Sequence, residues 1–385
     1  MVESAQRRAP SSPEEAAEVM RTAGAEELRV RVRGGGTKLS WGRPAEPPQI
    51  ELCTEGLDQI VEHNQGDLTA VLQAGVPLAR AQEAFAEAGQ RIALDPPLGH
   101  GDAATIGGVV ATGDSGPLRH RYAAARDLIL GVTVALSDGT MAKAGGKVIK
   151  NVAGYDLAKL FTGSFGTLGL VVEIVMRLHP CPPRTVTALG AADDPDALGR
   201  AASSVGHAAL ELEGLDVAWG DGRGEVLARF GGVAPEAGAE KAATAMGEAG
   251  LEAQLVDDDD DLWQRQRQRQ RSADGAVVRV SGLASELATV VRSSQEVGAS
   301  LVGRAGLGLS WVTLPHQEAG ELVAGVEELR RRLRPFACVV LDAPTAVREK
   351  VEVWGEDEAV PLMRRVKARF DPPGVCNPGI YVGGI

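Results

Sequence analysis

"RVRGGGTKLSWG", residues 31–42, sets three consecutive glycines directly after an alternating run. Just upstream, Leu28, Val30 and Val32 alternate with Arg29, Arg31 and Arg33, which is the period of a strand with one apolar face. That strand delivers the chain into Gly34, Gly35 and Gly36. Backbone stripped of side chains permits positive φ and close approach, so successive N–H groups can converge on phosphate oxygens. Two more glycine-rich stretches follow, "GHGDAATIGGVVATGDSGP" at 99–117 and "GSFGTLG" at 163–169. A single such loop reads as an ordinary tight turn. Three of them ahead of one boundary point to a dinucleotide or another large phosphorylated ligand.

Two phosphate motifs are excluded by spacing. A Walker A loop needs G-x-x-x-x-G-K-[ST], but around Gly146-Lys147 Met141 replaces the first glycine and Val148 replaces the Ser/Thr. A Rossmann turn needs G-x-G-x-x-G opening a helix. The first loop lacks it, and Gly163, Gly166 and Gly169 run into a strand. The expectation is a ligand held by loops on a mixed sheet, away from a helix N-terminus.

The bulk of the chain narrows the class further. At 385 residues it predicts two or three domains. A charged fraction of 24% and an apolar fraction of 44% describe a soluble globular protein. A net charge of -12 and only 4% aromatics argue against a nucleic-acid surface. No apolar run spans a bilayer and "MVESAQRRAP" carries no signal-peptide core, so a cytoplasmic location is expected. Cys53, Cys181, Cys338 and Cys376 include no C-x-x-C pair and read as reduced, mostly buried thiols. The six histidines show no ligand spacing, so no metal site is expected.

Along the chain, Ser12, Pro13 and Glu15 form a capping-box start for a helix that Gly24 would stop. "LARAQEAFAEAG" predicts a helix closed by Gly89. "LILGVTVALSDGTMAKA" predicts a hairpin turning at Asp138-Gly139. A short helix, the third glycine cluster and a long strand complete this part, and Pro180, Pro182 and Pro183 mark a boundary. Beyond it, alanine- and glutamate-rich helices alternate with strands such as "AVVRVSG" and "LGLSWVTL", suggesting an antiparallel sheet with helices. "DDDDDLWQRQRQRQR", 257–271, reads as a solvated loop running into an exposed helix.

"RVRGGGTKL", "ATIGGVVATGDSGPLRHRYAAARDLILGVTVALSDGT", "KNVAGYDLAKLFTGSFGTLGLVVEI" and the terminal "NPG" together resemble the vanillyl-alcohol-oxidase, or PCMH-type, FAD-binding flavoproteins. More narrowly they resemble the E-subunit family of bacterial glycolate oxidases. The resemblance is dense over residues 10–180 and the tail from about 365, and weak over 184–335. It implies an α+β fold: a PCMH-type FAD domain of two α+β subdomains at 1–183, an antiparallel α+β cap at 184–335, and a segment at 336–385 that returns to the FAD domain.

The resemblance also implies the cofactor site. Arg33, Gly34, Gly35, Gly36, Thr37 and Leu39 would cradle the FAD pyrophosphate. Thr105, Ile106, Gly107, Gly108, Thr112, Ser115 and Gly116 would line the other side of the flavin. Gly154, Tyr155, Gly166, Gly169 and Val171 would follow the ribityl–adenine portion, and Asn377 would return to the FAD domain. Covalent relatives carry a histidine at the fifth position of the first loop, which here is Thr37, so the FAD is expected to be non-covalent unless another residue such as His100 takes over. The second domain holds only His207 and His316, not a histidine-rich metal and substrate constellation, and His316 reads as an ordinary surface residue.

Flavin chemistry on a 2-hydroxy acid needs a base or polarised hydroxyl, and a cation for the carboxylate. Arg119, Arg121 and Arg126 stand near the second loop, and Tyr155 could hydrogen-bond a substrate. Each has a plain structural alternative, such as a local Arg126–Asp127 ion pair, and no catalytic base is assigned. The expected function is the FAD-binding subunit of a glycolate-oxidase-like dehydrogenase complex, beside a second flavoprotein subunit and an iron–sulfur subunit, reaching the inner face of the membrane only through those partners. The alternatives are an autonomous FAD-dependent oxidase or dehydrogenase of a small hydroxy acid or polyol, and a scaffold whose FAD site has decayed.

Overall fold

The computed structural model describes residues 5–147 and 156–385. Glycine-rich connections carry the chain between three main sheets. Strands Gln6–Arg8, Ile50–Cys53 and Val30–Arg33 form a parallel three-stranded sheet with Ile50–Cys53 in the centre. A five-stranded antiparallel sheet runs Ile60–Asn64, Thr69–Gln73, Leu170–Arg177, Ile129–Ala135 and Met141–Gly145. The eight-stranded sheet is antiparallel throughout, and all its strands lie between residues 185 and 342.

Local chemistry accounts for the element ends. The first helix, Pro13–Ala25, starts with Ser12 Oγ accepting the Glu15 N–H and with proline in its first turn. The Glu15 carboxylate accepts the Ser11 N–H at 2.7 Å, one residue earlier than a capping box would require. Gly24 does not stop this helix. It lies inside it, where a Cβ would stand 1.9 Å from the Ser137 carbonyl oxygen, so its role is close packing. The hairpin Ile129–Ala135/Met141–Gly145 forms as expected, with the Asp138 carboxylate accepting the Thr140 N–H at 2.8 Å and Gly139 at φ +81°. Helix Leu78–Ala86 is followed by Gly89 at φ +66°.

The period of two along its strands divides the eight-stranded sheet into faces. Val278 and Val280 face the helices Pro195–His207, Glu236–Glu248, Leu287–Glu296 and Ala319–Arg332, which bury alanine, valine and leucine against them. Val277, Trp311, Val302 and Val339 take the opposite face and pack with Trp41, Phe165 and Ile380. This second face therefore meets the first and third glycine loops.

Two features differ from the sequence reading. The block 257–271 is not a solvated loop before an exposed helix. Helix Asp260–Gln268 buries Trp263 completely, and Gln266 and Gln270 are buried one turn apart. The buried Asp259 carboxylate accepts Thr187 Oγ1 at 2.7 Å and Arg229 Nη2 at 2.6 Å. Paired partners elsewhere in the chain, invisible to a local charge pattern, make burial of these polar residues tolerable. Second, strand Ala337–Asp342 pairs with Ala276–Ser281 inside the eight-stranded sheet, so residues just past 335 do not all leave it. Cys376 bridges Val30, and the Asn377 N–H donates to the Val30 carbonyl at 2.9 Å. All four cysteines are free; Cys181 is half-buried and the other three are buried.

Candidate functional site

The strand ends and glycine loops enclose a cleft with about 870 Å³ of empty space, open to solvent. The first loop enters it from strand Val30–Arg33, whose Val32 also lines it. Helix Ile106–Thr112, strand Leu170–Arg177 and the 165–169 turn close the opposite side. Of the residues expected to hold a cofactor, Gly34, Gly35, Gly36, Thr37, Leu39, Thr105, Gly107, Gly108, Thr112, Gly166, Gly169, Val171 and Asn377 line this one cleft.

Four expected residues stand elsewhere. The exposed Arg33 side chain turns to Glu51 at 2.9 Å. Ile106 is buried in the core beneath the five-stranded sheet. Ser115 is buried and donates its N–H to the Asp114 carboxylate at 2.9 Å. Gly116 packs against Asp95, where a Cβ would stand 1.8 Å from the carbonyl oxygen. Gly154 and Tyr155 lie outside the described residues.

The glycines of the first loop do different jobs. Only Gly36 needs positive φ, at +72°. Gly34 and Gly35 are there for close approach: a Cβ would meet Thr105 Oγ1 at 2.3 Å and the Ala103 carbonyl oxygen at 1.6 Å. The loop is thereby pressed against the second glycine stretch.

Backbone donors separate the two loops chemically. Among the described residues, the N–H groups of residues 34–39 donate to no protein acceptor. The start of helix Ile106–Thr112 has none to spare: Ile106 and Gly107 donate to the Val76 and Ala74 carbonyls, and Gly108 to Thr105 Oγ1. Of these two segments only the first loop has free donors, although a helix N-terminus that the sequence reading did not foresee also lines the cleft. Unpaired N–H groups converging on a cleft suit an anionic ligand such as a pyrophosphate, so the residues present fit the phosphate portion of FAD.

Asn377 acts on the cleft through its shape. It sits at φ +41°, its Oδ1 accepts the Val32 N–H at 3.1 Å, and its Nδ2 donates to the Phe165 carbonyl. Lys38, missed by the sequence reading, lines the cleft and forms a nearly fully buried ion pair with Asp114 at 3.2 Å. Trp41 lies between two cations, with Lys38 Nζ 5.7 Å and the Arg271 guanidinium 5.1 Å from its ring. Its indole N–H and Arg271 both bond Asp342, and Arg271 also donates to the Thr37 carbonyl at 2.9 Å. The 257–271 block thus braces the first glycine loop. Phe165, also missed, lines the cleft at φ +55°, meets Trp354 edge to face and lies tilted against Tyr381.

The candidate carboxylate cations separate clearly. Arg121 pairs with Glu211 and Glu213, and Arg126 is exposed. Asp127 accepts the Ala124 N–H at 3.1 Å and makes no ion pair with Arg126. Arg119 alone turns inward, donating to Ser115 Oγ at 3.3 Å. Burial first, then the charge of Arg304, hold its pKa below the ordinary arginine value. Arg304 is itself fully buried and bonds the fully buried Asp216 at 2.6 Å. Burial pushes the Asp216 carboxyl up to about 7 against the pull of Arg304. His207 and His316 are exposed; His316 bonds the Asp274 carbonyl and His207 a carbonyl of its own helix.

Residues 5–145 match the family described as FAD binding domain. The glycolate oxidase subunit GlcE of Escherichia coli (strain K12) is 38% identical over 152 residues, covering 39% of this chain and 42% of that protein. The glycolate oxidase subunit GlcD of Bacillus subtilis (strain 168) is 32% identical over 197 residues, covering 51% of this chain and 42% of that protein. The chain therefore spans about two fifths of the length of these curated relatives. An alkyldihydroxyacetonephosphate synthase structure superposes over 97% of this chain and 76% of its own, with a TM-score of 0.70 and 14% identity, which shows a shared fold.

Proposed function

With an FAD binding domain over residues 5–145 as the premise, we propose that the chain is an FAD-dependent oxidoreductase acting on a small 2-hydroxy acid, as the FAD-binding subunit of a glycolate-oxidase-like complex. One observation carries the reading: the N–H groups of residues 34–39, which donate to no acceptor among the described residues, line a cleft together with strands of two sheets. The two relatives named above are both glycolate oxidase subunits, which supports the substrate class. They also support a second flavoprotein as partner, to which we add an iron–sulfur subunit as the onward electron carrier. No helix among the described residues is long and apolar enough to cross a membrane, so we assign any membrane association to the partners, on the cytoplasmic side.

In this reading the FAD, when bound, supplies a two-electron acceptor for the carbon bearing the substrate hydroxyl. The chain's own residues do the rest. The first loop holds the pyrophosphate through backbone N–H groups, and Asn377 and Phe165 fix the width of the cleft. Residues 184–342 form a cap whose sheet face excludes water from the reacting end. Thr37 occupies the position where covalent relatives carry histidine, and the exposed His100 is not among the cleft residues, so the flavin is held without a covalent bond.

Purified chain should be yellow and should release its flavin into the supernatant on acid precipitation. A colourless protein that cannot be reconstituted with FAD would refute the reading. Bleaching of the flavin by glycolate in the isolated chain would favour an autonomous dehydrogenase over the complex subunit, and bleaching only after addition of partner subunits would favour the complex.

A further inference from the structure

We propose that Arg279 and Arg119 form an anion pocket that seats the carboxylate of a small organic acid, between the inner face of the eight-stranded sheet and the short helix Arg119–Tyr122. The inference rests on the functional reading above and assigns that site its carboxylate anchor.

Arg279 lies in strand Ala276–Ser281, opposite Trp311 on one side and Val339 on the other. By the two-residue period it shares a face with Val277, which packs with Trp41 and Phe165. Its guanidinium therefore points toward the glycine loops. Its Nε is buried and has no hydrogen-bond partner. Among the described residues no carboxylate lies within ion-pair distance of Arg279 or of Arg119, and the segment 148–155 contains no Asp or Glu.

The charged groups near Arg279 are Arg119 and Asp114, with the neutral Tyr381 phenol beside them. Asp114 is already engaged by Lys38. Arg119 bonds only Ser115 Oγ. Arg304, in the same interior, differs because Asp216 and Gln270 occupy it. Asp114 and Asp127 act on the two guanidinium groups only from a distance, so among the described residues neither has an ion-pair partner in contact. Such an arrangement is costly in the protein alone and is relieved when an anion enters. Guanidinium groups bind carboxylates through paired N–H donors, which suits an organic acid.

The surroundings restrict size and add a donor. Trp311, Phe165, Trp354 and Tyr381 form an aromatic wall; Tyr381 meets Trp354 edge to face at 4.9 Å and lies tilted against Phe165 at 5.4 Å. Burial holds the Tyr381 phenol in its neutral form to higher pH, where it can donate to the same carboxylate. Phe165 and Lys38 line the cofactor cleft, so the pocket adjoins it.

The test uses FAD-loaded protein and oxalate, a small carboxylate that lacks an oxidisable carbinol. Calorimetric titration should show binding to the wild type. Arg279→Met and Arg119→Met should each weaken it by at least about tenfold, with FAD content unchanged; Arg279→Lys should retain part of it, and Arg126→Met all of it. Unchanged oxalate affinity in either methionine variant, or no binding by the wild type at millimolar oxalate, overturns the pocket. If Arg279→Met does not fold, Arg119→Met decides alone. Arginine-dependent oxalate binding without flavin bleaching by any 2-hydroxy acid would keep the pocket and reject the hydroxy-acid reading.

Discussion

Asn377 donates its side-chain N–H to the carbonyl oxygen of Phe165 at 2.6 Å, across 212 positions of sequence. The same amide accepts the Val32 N–H at 3.1 Å. One side chain from the tail therefore ties the first glycine loop's strand to the third glycine turn, on either side of the cleft. Asn377→Ala removes both bonds and leaves the Phe165 carbonyl without a donor, at a cost of about 2–3 kcal/mol. Urea unfolding should show that loss, and the ratio of bound FAD to protein should fall.

The first loop makes a sharper test. Gly35→Ala would drive a methyl into the Ala103 carbonyl, so the variant should lose FAD binding outright. Gly89 also has positive φ, at +66°, but nothing lies within 4 Å of a Cβ there. Gly89→Ala should keep its FAD and lose only about 1 kcal/mol. Absorbance near the flavin band, per mole of chain, separates the two outcomes.

Arg271 links Asp342 to the Thr37 carbonyl. Its loss leaves a carboxylate that is 5% exposed with only Trp41 and one backbone N–H as donors. Arg271→Ala should cost on the order of 2–4 kcal/mol and weaken FAD retention. Asp342→Asn should be milder, since the indole N–H keeps an acceptor. Thermal unfolding with and without added FAD measures both.

The fully buried Asp216 sets a pH dependence. Its carboxyl titrates at about 7 in the folded chain, chiefly through burial, against about 3.9 unfolded. Between those values the folded state holds the extra proton. The stability from this group is therefore complete below about pH 4 and is lost as pH rises through 7. The melting temperature of the wild type relative to Asp216→Asn should decline from pH 4 to pH 8. A flat difference would show that Arg304 keeps Asp216 ionised throughout.

Much of the fold was legible locally. The alternation Leu28–Arg33, the hairpin turn at Asp138-Gly139 and the proline break after the strand Leu170–Arg177 all report nearest-neighbour chemistry that a linear chain displays. Gly24 misled because a glycine in sequence does not say whether it ends a helix or admits a neighbour, here the Ser137 carbonyl. Block 257–271 misled for a related reason. Charge and amide groups look solvent-facing until Thr187, Arg229, Asp216 and the Ser115 carbonyl are brought to them.

The sequence by itself determined three glycine loops, the strand-first context of the first of them and the absence of Walker or Rossmann spacing, because close backbone approach demands glycine whatever else surrounds it. Only the tertiary structure decided which loop has N–H groups to offer, since hydrogen-bond donors are consumed by partners distant in sequence, as Ala74 and Val76 consume those of Gly107 and Ile106. It also decided that Arg119 faces inward while Arg121 and Arg126 do not, and that Arg279, on a strand of the eight-stranded sheet, has no ion-pair partner among the described residues. Whether a charge is paired depends on what packing places beside it.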